Sequence, residues 1–427
     1  MYSETPTSVV SLLARALQRI RSTPPRIIAS PPTQPRRAAV ALLIRVAPSP
    51  STPLPTENNV KTLNDFFELD WVKDPNARPE ILFLHRESPP LDTASLSHIK
   101  GRESKEAQVA FPGGRAEPDD EGGLYTAMRQ TWEEIGIDLA EKDYVLVGQL
   151  DDREITTSLG KRLLMILSPY IFLQVTPQAH TPDPIPSTTL HWIPLSSLVS
   201  PDSPPKWSSV TVDAASRLVS KHSPIFRFLI QLLIGTMQFP AIVMELRTPV
   251  PVSAKPTSTH DVLEKGISHK PLARHLKLWG LSLGMTLDLM SYMIYPPPPP
   301  NQRAYTPNSA SPPPSPLAQV MQLPYQEVAE DLRVDLVAPN LASVFPRFSY
   351  PDVNFWIWVF GKRYRAVIRG WEASLRAGGV NDRRINWSGS ALSTFYASVR
   401  KALIVVFVGR ALGILFGLAF AGWWVFW

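Results

Sequence analysis

Residues 108–137 read QVAFPGGRAEPDDEGGLYTAMRQTWEEIGI, and the rest of the chain is organised around them. Val109, Ala110 and Phe111 have the character of a strand, and Pro112-Gly113-Gly114 is a turn signal that ends one. An acidic loop follows, then a helix predicted from about Gly122 to Ile135. Leu124, Ala127, Met128, Thr131 and Ile135 recur at helical spacing as its buried face, and Gly136 stands where a left-handed cap is favoured. Gln130, Glu133 and Glu134 are three and four residues apart and share the opposite face. Glu121 lies just before the helix, where its charge suits the dipole.

Carboxylates gathered on one helical face repel one another unless something positive lies between them. Hard oxygen ligands of this kind suit Mg²⁺ or Mn²⁺, which keep several waters and also bind substrate phosphates. Without an ion the same pattern is a solvated acidic face.

The whole stretch resembles the Nudix box: Gly, five residues, Glu, seven residues, Arg-Glu, an aliphatic, any residue, Glu-Glu, any residue, Gly, an aliphatic. Glu121, Arg129, Glu133, Glu134, Gly136 and Ile137 match in register. Three positions depart from it. Six residues rather than five separate Gly114 from Glu121, Thr131 replaces an aliphatic, and Gln130 replaces a Glu that in the family binds metal. An amide oxygen still coordinates a hard cation but brings no charge, so metal binding weaker than usual is expected.

The resemblance implies a Nudix α/β/α sandwich on a mixed sheet, a hydrolase that splits a diphosphate linkage, and Mg²⁺ or Mn²⁺ as cofactor. It implies metal ligation by Glu133, Glu134, Gln130 and Glu121. Glu133, Glu134 and Arg129 carry the catalytic roles, with Arg129 fixing its neighbours' rotamers. Gly113 and Gly114, lacking a Cβ, let backbone N–H groups approach phosphates. A strand ending in Arg86-Glu87-Ser88, then a loop, then VAFPGG, resembles the coenzyme A diphosphatase branch, with Arg86 at the substrate. The longer loop Pro89–Glu106, carrying Lys100, Arg102 and Lys105, departs from that branch.

Elsewhere, 427 residues exceed one typical domain, and 45 prolines are about double the usual share, which implies irregular insertions. With no cysteine, disulfides, thiolate zinc sites and a cysteine nucleophile are excluded. The eight histidines show no ligand-like pairing in sequence. A net charge of +6 favours anionic substrates or a membrane surface, and no nucleic-acid motif is found.

The first 36 residues are basic, and an amphipathic helix fits Ser8 to Ile20, with Val9, Leu12, Leu13, Ala16, Leu17 and Ile20 on one side. This reads as a first helix packed on the domain, although a mitochondrial transit peptide has the same pattern. RAAVALLIRV (37–46) and ILFLH (81–85) are strand candidates, with a surface insertion between them at 48–76. Residues 144–150 and 163–175 read as strands, with Asp151-Asp152-Arg153 as the turn between. LHWIPLSSL (190–198) reads as a short strand and helix. Residues 228–244 read as a buried helix followed by a strand, and Leu278-Trp279-Gly280-Leu281 opens a helix reaching about Met293, with Leu283, Leu287 and Met290 buried.

The expected organisation is a catalytic domain over 37–295, a proline-rich linker over 296–350, a basic aromatic juxtamembrane segment over 351–401 and a transmembrane anchor over 402–427. Arg410 is the only charge in the last 26 residues, and Trp423, Trp424 and Trp427 suit an interface. The chain is therefore expected at a membrane through one C-terminal span, with the catalytic domain in the cytosol and a mitochondrial site as the alternative. Its expected partner is a nucleoside-diphosphate-type small molecule. Two other functions stay open: a catalytically silent Nudix fold that binds a nucleotide or partner, and a membrane-surface interaction protein working through its proline and basic segments.

Overall fold

The computed structural model describes residues 8–31, 36–53, 62–86, 107–156, 163–199, 205–213, 228, 231–232, 235–245, 275–293, 346–366 and 390–426. The loop 89–106, residues 296–345 of the proline-rich linker and residues 367–389 of the basic segment lie outside these residues. The helices are α1 (Val9–Ser22), α2 (Leu63–Glu68), α3 (Asp70–Lys73), α4 (Gly123–Ile135), α5 (Ser196–Val199), α6 (Gly280–Met293), α7 (Pro351–Phe360) and α8 (Ser390–Phe426). The strands are β1 (Arg37–Ala47), β2 (Arg78–Arg86), β3 (Ala107–Ala110), β4 (Gly113–Arg115), β5 (Tyr144–Gln149) and β6 (Arg153–Thr156). They continue with β7 (Leu163–Gln174), β8 (Thr188–Pro194), β9 (Lys206–Asp213), β10 (Thr236–Glu245), β11 (His275–Trp279) and β12 (Arg347–Phe348).

These strands form one mixed sheet whose main path runs β12-β10-β11-β3-β2-β1-β7-β5. Short strands flank that path: β4 beside β1, β6 beside β7, β8 beside β2 and β9 beside β10. Strand β1 pairs parallel with β7 from Arg37–Ile166 to Arg45–Gln174, and antiparallel with β2. Because a strand points successive side chains to opposite faces, β1 serves two cores. Ala39, Ala41 and Leu43 join Leu82, Leu84 and Phe172 under Ala127 and Ile135 of α4. Leu42, Ile44 and Val46 join Ile81 and Phe83 under α1 and α6 on the other face. A strand buried on both faces needs a continuous apolar run, which RAAVALLIRV supplies. Helices thus cover both faces of a mixed sheet.

Helix α1 starts at Ser8, whose hydroxyl accepts from the Val10 N–H at 3.3 Å. Val10, Leu13, Ala16, Leu17 and Ile20 are buried, while Val9 and Leu12 are only partly covered. Two of its arginines donate to the last carbonyls of α6, Arg15 to Met293 at 2.6 Å and Arg19 to Tyr292 at 3.4 Å. Cations suit that helix end, where the carbonyls lack partners within the helix. Burial, with the neighbouring Arg15 charge second, lowers the Arg19 pKa.

Four local expectations are corrected. The supposed surface insertion contains α2 and α3, which bury Leu63, Phe66, Phe67, Trp71 and Val72; its polar first half had hidden an apolar second half. Leu278 and Trp279 end strand β11, and the helix begins only at Gly280, which turns the chain at φ +62°. Pro112-Gly113-Gly114 does not simply end a strand, since Gly113–Arg115 pairs with β1 as β4. Asp152 and Arg153 are not an exposed turn but are almost fully buried.

Asp152 is a hub. Its carboxylate accepts from the Ile28 N–H (3.0 Å), Arg37 Nη2 (2.8 Å), Gln149 Nε2 (2.8 Å) and Ser168 Oγ (2.7 Å). It therefore ties the segment after α1 to β1, β5 and β7, and every bond is charge-assisted. Arg153 next to it pairs with Asp288 of α6, whose carboxyl is pushed up to about 6 by burial. Asp152→Ala strands Arg37 with no anion beside it and should cost about 3–5 kcal/mol. A urea midpoint within error of wild type would show that Asp152 organises nothing.

Candidate functional site

The site is built where α4 crosses β4. Gly113 sits at φ +146°, and a Cβ there would lie 2.3 Å from the Ala39 carbonyl oxygen, so only glycine lets β4 reach β1. A Cβ on Gly114 would lie 2.0 Å from Gln130 Oε1. Packing therefore requires glycine at Gly113, whereas at Gly114 a Cβ would meet only the Gln130 side chain, which lies against β4 and would have to rotate away. Gly136 caps α4 at φ +67°, as its position foretold, and donates to the Trp132 carbonyl at 2.9 Å. The Asp183 and Ile185 N–H groups satisfy the Ile135 and Glu134 carbonyls (2.9 and 3.1 Å), so the end of the site helix is held by the loop before β8.

Arg129 is the electrostatic centre. Its Nε and Nη2 take both oxygens of Asp120 at 2.8 Å each. Its Nη1 reaches Glu133 at 3.0 and 3.1 Å and Glu117 at 3.2 Å. Asp120 also accepts from the Thr126 hydroxyl (2.7 Å) and the Glu117 N–H (2.9 Å), and its side chain is 3% exposed. The Arg129 hydrogen bonds hold the Asp120 carboxyl far below the usual carboxylate range, and Asp120 in turn raises Arg129. One guanidinium thus staples the acidic loop to the helix.

The predicted face is only partly one cluster. Gln130 donates from Nε2 to Glu133 Oε2 at 3.1 Å. Glu134 turns to Arg86 at the end of β2, which grips both its oxygens through Nε and Nη2, the latter at 2.7 Å. Glu121 is exposed and bonds to none of these residues among those described. Leu124 and Met128 are partly covered, and Thr126 joins Ala127, Thr131 and Ile135 in the buried set.

Among the described residues no three His, Cys, Asp or Glu side chains gather as a metal cluster. By donor chemistry Glu133, Glu134 and the Gln130 amide oxygen suit Mg²⁺ or Mn²⁺ held by one or two acids, with water and substrate oxygens completing the shell, although Glu134 is turned to Arg86 and Gln130 presents Nε2 rather than Oε1 to Glu133. They fit such an ion, and only loosely.

Sequence reasoning missed Asp120, hidden in the acidic loop nine positions before Arg129. Its signal was the extra loop residue, which puts Asp120 rather than Glu121 within reach of the arginine. It also missed that His85 and His191 meet on paired strands β2 and β8. Their ring centres are 6.4 Å apart, and Thr189 Oγ1 stands 3.4 Å from His85 Nδ1 and 3.2 Å from His191 Nε2. Sequence-distant histidines become neighbours only through strand pairing.

The last helix, α8, has 37 residues, about 55 Å at ~1.5 Å per residue, and is long and apolar enough to cross a membrane. The expected span from 402 is modified at its start, because Ala402, Leu403 and Val406 are buried. From Leu412 to Trp424 every residue but Gly422 is exposed. Arg410 grips Asp352 of α7 at 2.8 and 2.6 Å and stacks on Tyr350 at 4.3 Å, so the one charge in the apolar run is paired.

No protein-family model matches the chain. It is 26% identical to an uncharacterised protein of Schizosaccharomyces pombe over 290 residues, 65% of this chain and 79% of that one. It is 40% identical to the mitochondrial coenzyme A diphosphatase of Mus musculus over 52 residues, 12% of this chain and 24% of that protein. Among solved structures it is similar to a Nudix hydrolase from M. smegmatis at 16% identity, over 38% of this chain and 71% of the other, with a TM-score of 0.21. That last likeness is too slight to argue from.

Replacing Asp120 should cost more than replacing Glu133, although both pair with Arg129. The Glu133 side chain is 51% exposed, and exposed pairs contribute about 0–1 kcal/mol. Asp120→Ala leaves a mostly covered guanidinium short of two bonds, so its thermal midpoint should fall well below that of Glu133→Ala. Equal midpoints would remove Asp120 from the centre of the site.

Proposed function

We propose that this chain is a Nudix-type, metal-dependent hydrolase of a diphosphate linkage in a nucleotide-type substrate, with coenzyme A or its derivatives favoured. The observation that carries the reading is that Arg129 and Gln130 both contact Glu133 within one helical turn, against Gly114 of β4, with Arg129 and Glu133 in the register of the box. The segment similar to a mitochondrial coenzyme A diphosphatase supports the substrate class.

Glu134, Glu133 and the Gln130 amide oxygen would hold Mg²⁺ or Mn²⁺, with Glu121 the remotest candidate. Such an ion neutralises diphosphate oxygens and acidifies water. Arg129, locked by Asp120, keeps Glu133 in one rotamer. Arg86 at the rim offers two parallel N–H groups, a fork that fits phosphate oxygens as well as a carboxylate. Glu133 or Glu134 accepts the proton of the attacking water.

A second reading, a nucleotide- or partner-binding protein without turnover, is favoured by Gln130 alone, because its amide brings no charge. Both readings place the domain at a membrane through α8, with the site on the cytosolic side.

Coenzyme A incubated with full-length protein and Mg²⁺ or Mn²⁺ should yield two phosphate-bearing products, followed by phosphorus NMR. Glu134→Gln should reduce that turnover by 10²-fold or more with an unchanged melting curve, in line with the loss of an acid–base group. No product from wild type at any metal concentration, over a panel of nucleoside diphosphate derivatives, would leave the binding reading in its place.

For the anchor, the expected result is fractionation with membranes and resistance to alkaline carbonate. Release by carbonate alone would mean that the exposed half of α8 meets protein and not lipid.

A further inference from the structure

The two box glutamates are held in different ways. Glu133 faces an arginine that cannot leave, because Arg129 is pinned by both oxygens of Asp120. Glu134 faces an arginine that can. Among the described residues Arg86 pairs with Glu134 alone, and it is the more exposed partner, 45% against 12%. Its backbone is fixed, since β2 pairs Arg86 with Thr188 and His85 with Thr189, so exchange is a matter of side-chain rotation alone.

Because Nε and Nη2 engage both Glu134 oxygens, a cation approaching Glu134 competes with the guanidinium for the carboxylate and meets its positive charge. A guanidinium fork matches two phosphate oxygens as well as it matches a carboxylate. A diphosphate therefore offers Arg86 an equivalent or better partner, and its departure uncovers Glu134.

Resting on the metal-dependent reading, we propose that Arg86 is an internal counter-ion that occupies Glu134 in the free protein and transfers to the substrate diphosphate, releasing Glu134 to the metal. Metal and diphosphate then bind with positive coupling, and by linkage each tightens the other. Gln130 sharpens the effect. With one box acid replaced by an amide, Glu134 carries a larger share of the site's charge, so covering it leaves little to attract a cation.

The test is Mn²⁺ binding to full-length protein in detergent, read by electron paramagnetic resonance without substrate. Arg86→Gln should bind Mn²⁺ at least tenfold more tightly than wild type, about 1.4 kcal/mol. Arg86→Lys, which keeps the charge but not the fork, should fall between, and it stands in if the glutamine variant fails to fold. Adding Glu134→Gln should abolish the gain. Inorganic pyrophosphate, titrated with chelator present, should bind Arg86→Gln at least tenfold more weakly than wild type. Equal Mn²⁺ affinity in wild type and Arg86→Gln, with binding lost in Glu134→Gln, overturns the counter-ion role and leaves the metal site standing. A gain that survives Glu134→Gln overturns it as well. Absence of Mn²⁺ binding in every variant, with or without pyrophosphate, removes the metal-dependent reading itself.

Discussion

Strand β1 has no face left for solvent, and much of the architecture follows from that constraint. Its odd and even positions enter different cores, so a helix must cover each side of the sheet. On one side the cover is α4, which brings the box to the sheet. Beside β1 runs β4, where the β1 backbone leaves no volume for a Cβ on Gly113, and the Gln130 side chain fills the space over Gly114. The geometry of the candidate site is thus inherited from how tightly the central strand is enclosed. The same parallel pairing of β1 with β7 places Arg37 and Ser168 around Asp152, so the polar hub closes the end of the strand that the apolar cores leave open.

Charge at the site is partly offset by two arginines. Asp120, Glu133 and Glu117 share Arg129, and Glu134 has Arg86. The physical difference between the pairs is anchorage. A bidentate contact to a covered carboxylate makes Arg129 part of the scaffold, whereas Arg86 projects from a strand end toward solvent. The consecutive carboxylates of Glu133 and Glu134 would otherwise repel, and these pairings let α4 fold with both acids in place. Replacement of one acid by Gln130 reduces the repulsion further, at the expense of attraction for a cation. Stability and cation affinity pull in opposite directions at this helix face.

The C-terminal helix obeys a related rule. An arginine inside an apolar run is costly to place in hydrocarbon, and here Arg410 meets Asp352 and the Tyr350 ring where α8 leaves its packing against α7. Residues before this point are half covered by protein, and those after it are bare on nearly every side. Apolar exposure all round a helix is unlike a single docking stripe and suits a lipid environment.

Much of this was legible in the chain itself. Apolar, β-branched runs gave β1, β2 and β7, and the 3.6-residue period gave α1 and α4, all to within a few residues, while Gly136 marked the end of α4 because a left-handed residue closes the helix there. The approach of Glu133 to Arg129 and to Gln130 was readable because residues three and four apart on a helix share a face. Local spacing carries that information whatever the helix packs against. Partnership across the fold does not. Nothing in the sequence says that Arg86 reaches Glu134, that Asp120 rather than Glu121 meets Arg129, that His85 and His191 adjoin, or that Asp152 and Arg153 are buried. Those outcomes depend on strand pairing and loop length, which bring together residues up to 135 positions apart, and an ion pair forms only where both ends are delivered to within about 3 Å. Short-range periodicity determined the elements, and the tertiary structure alone decided which charges face one another.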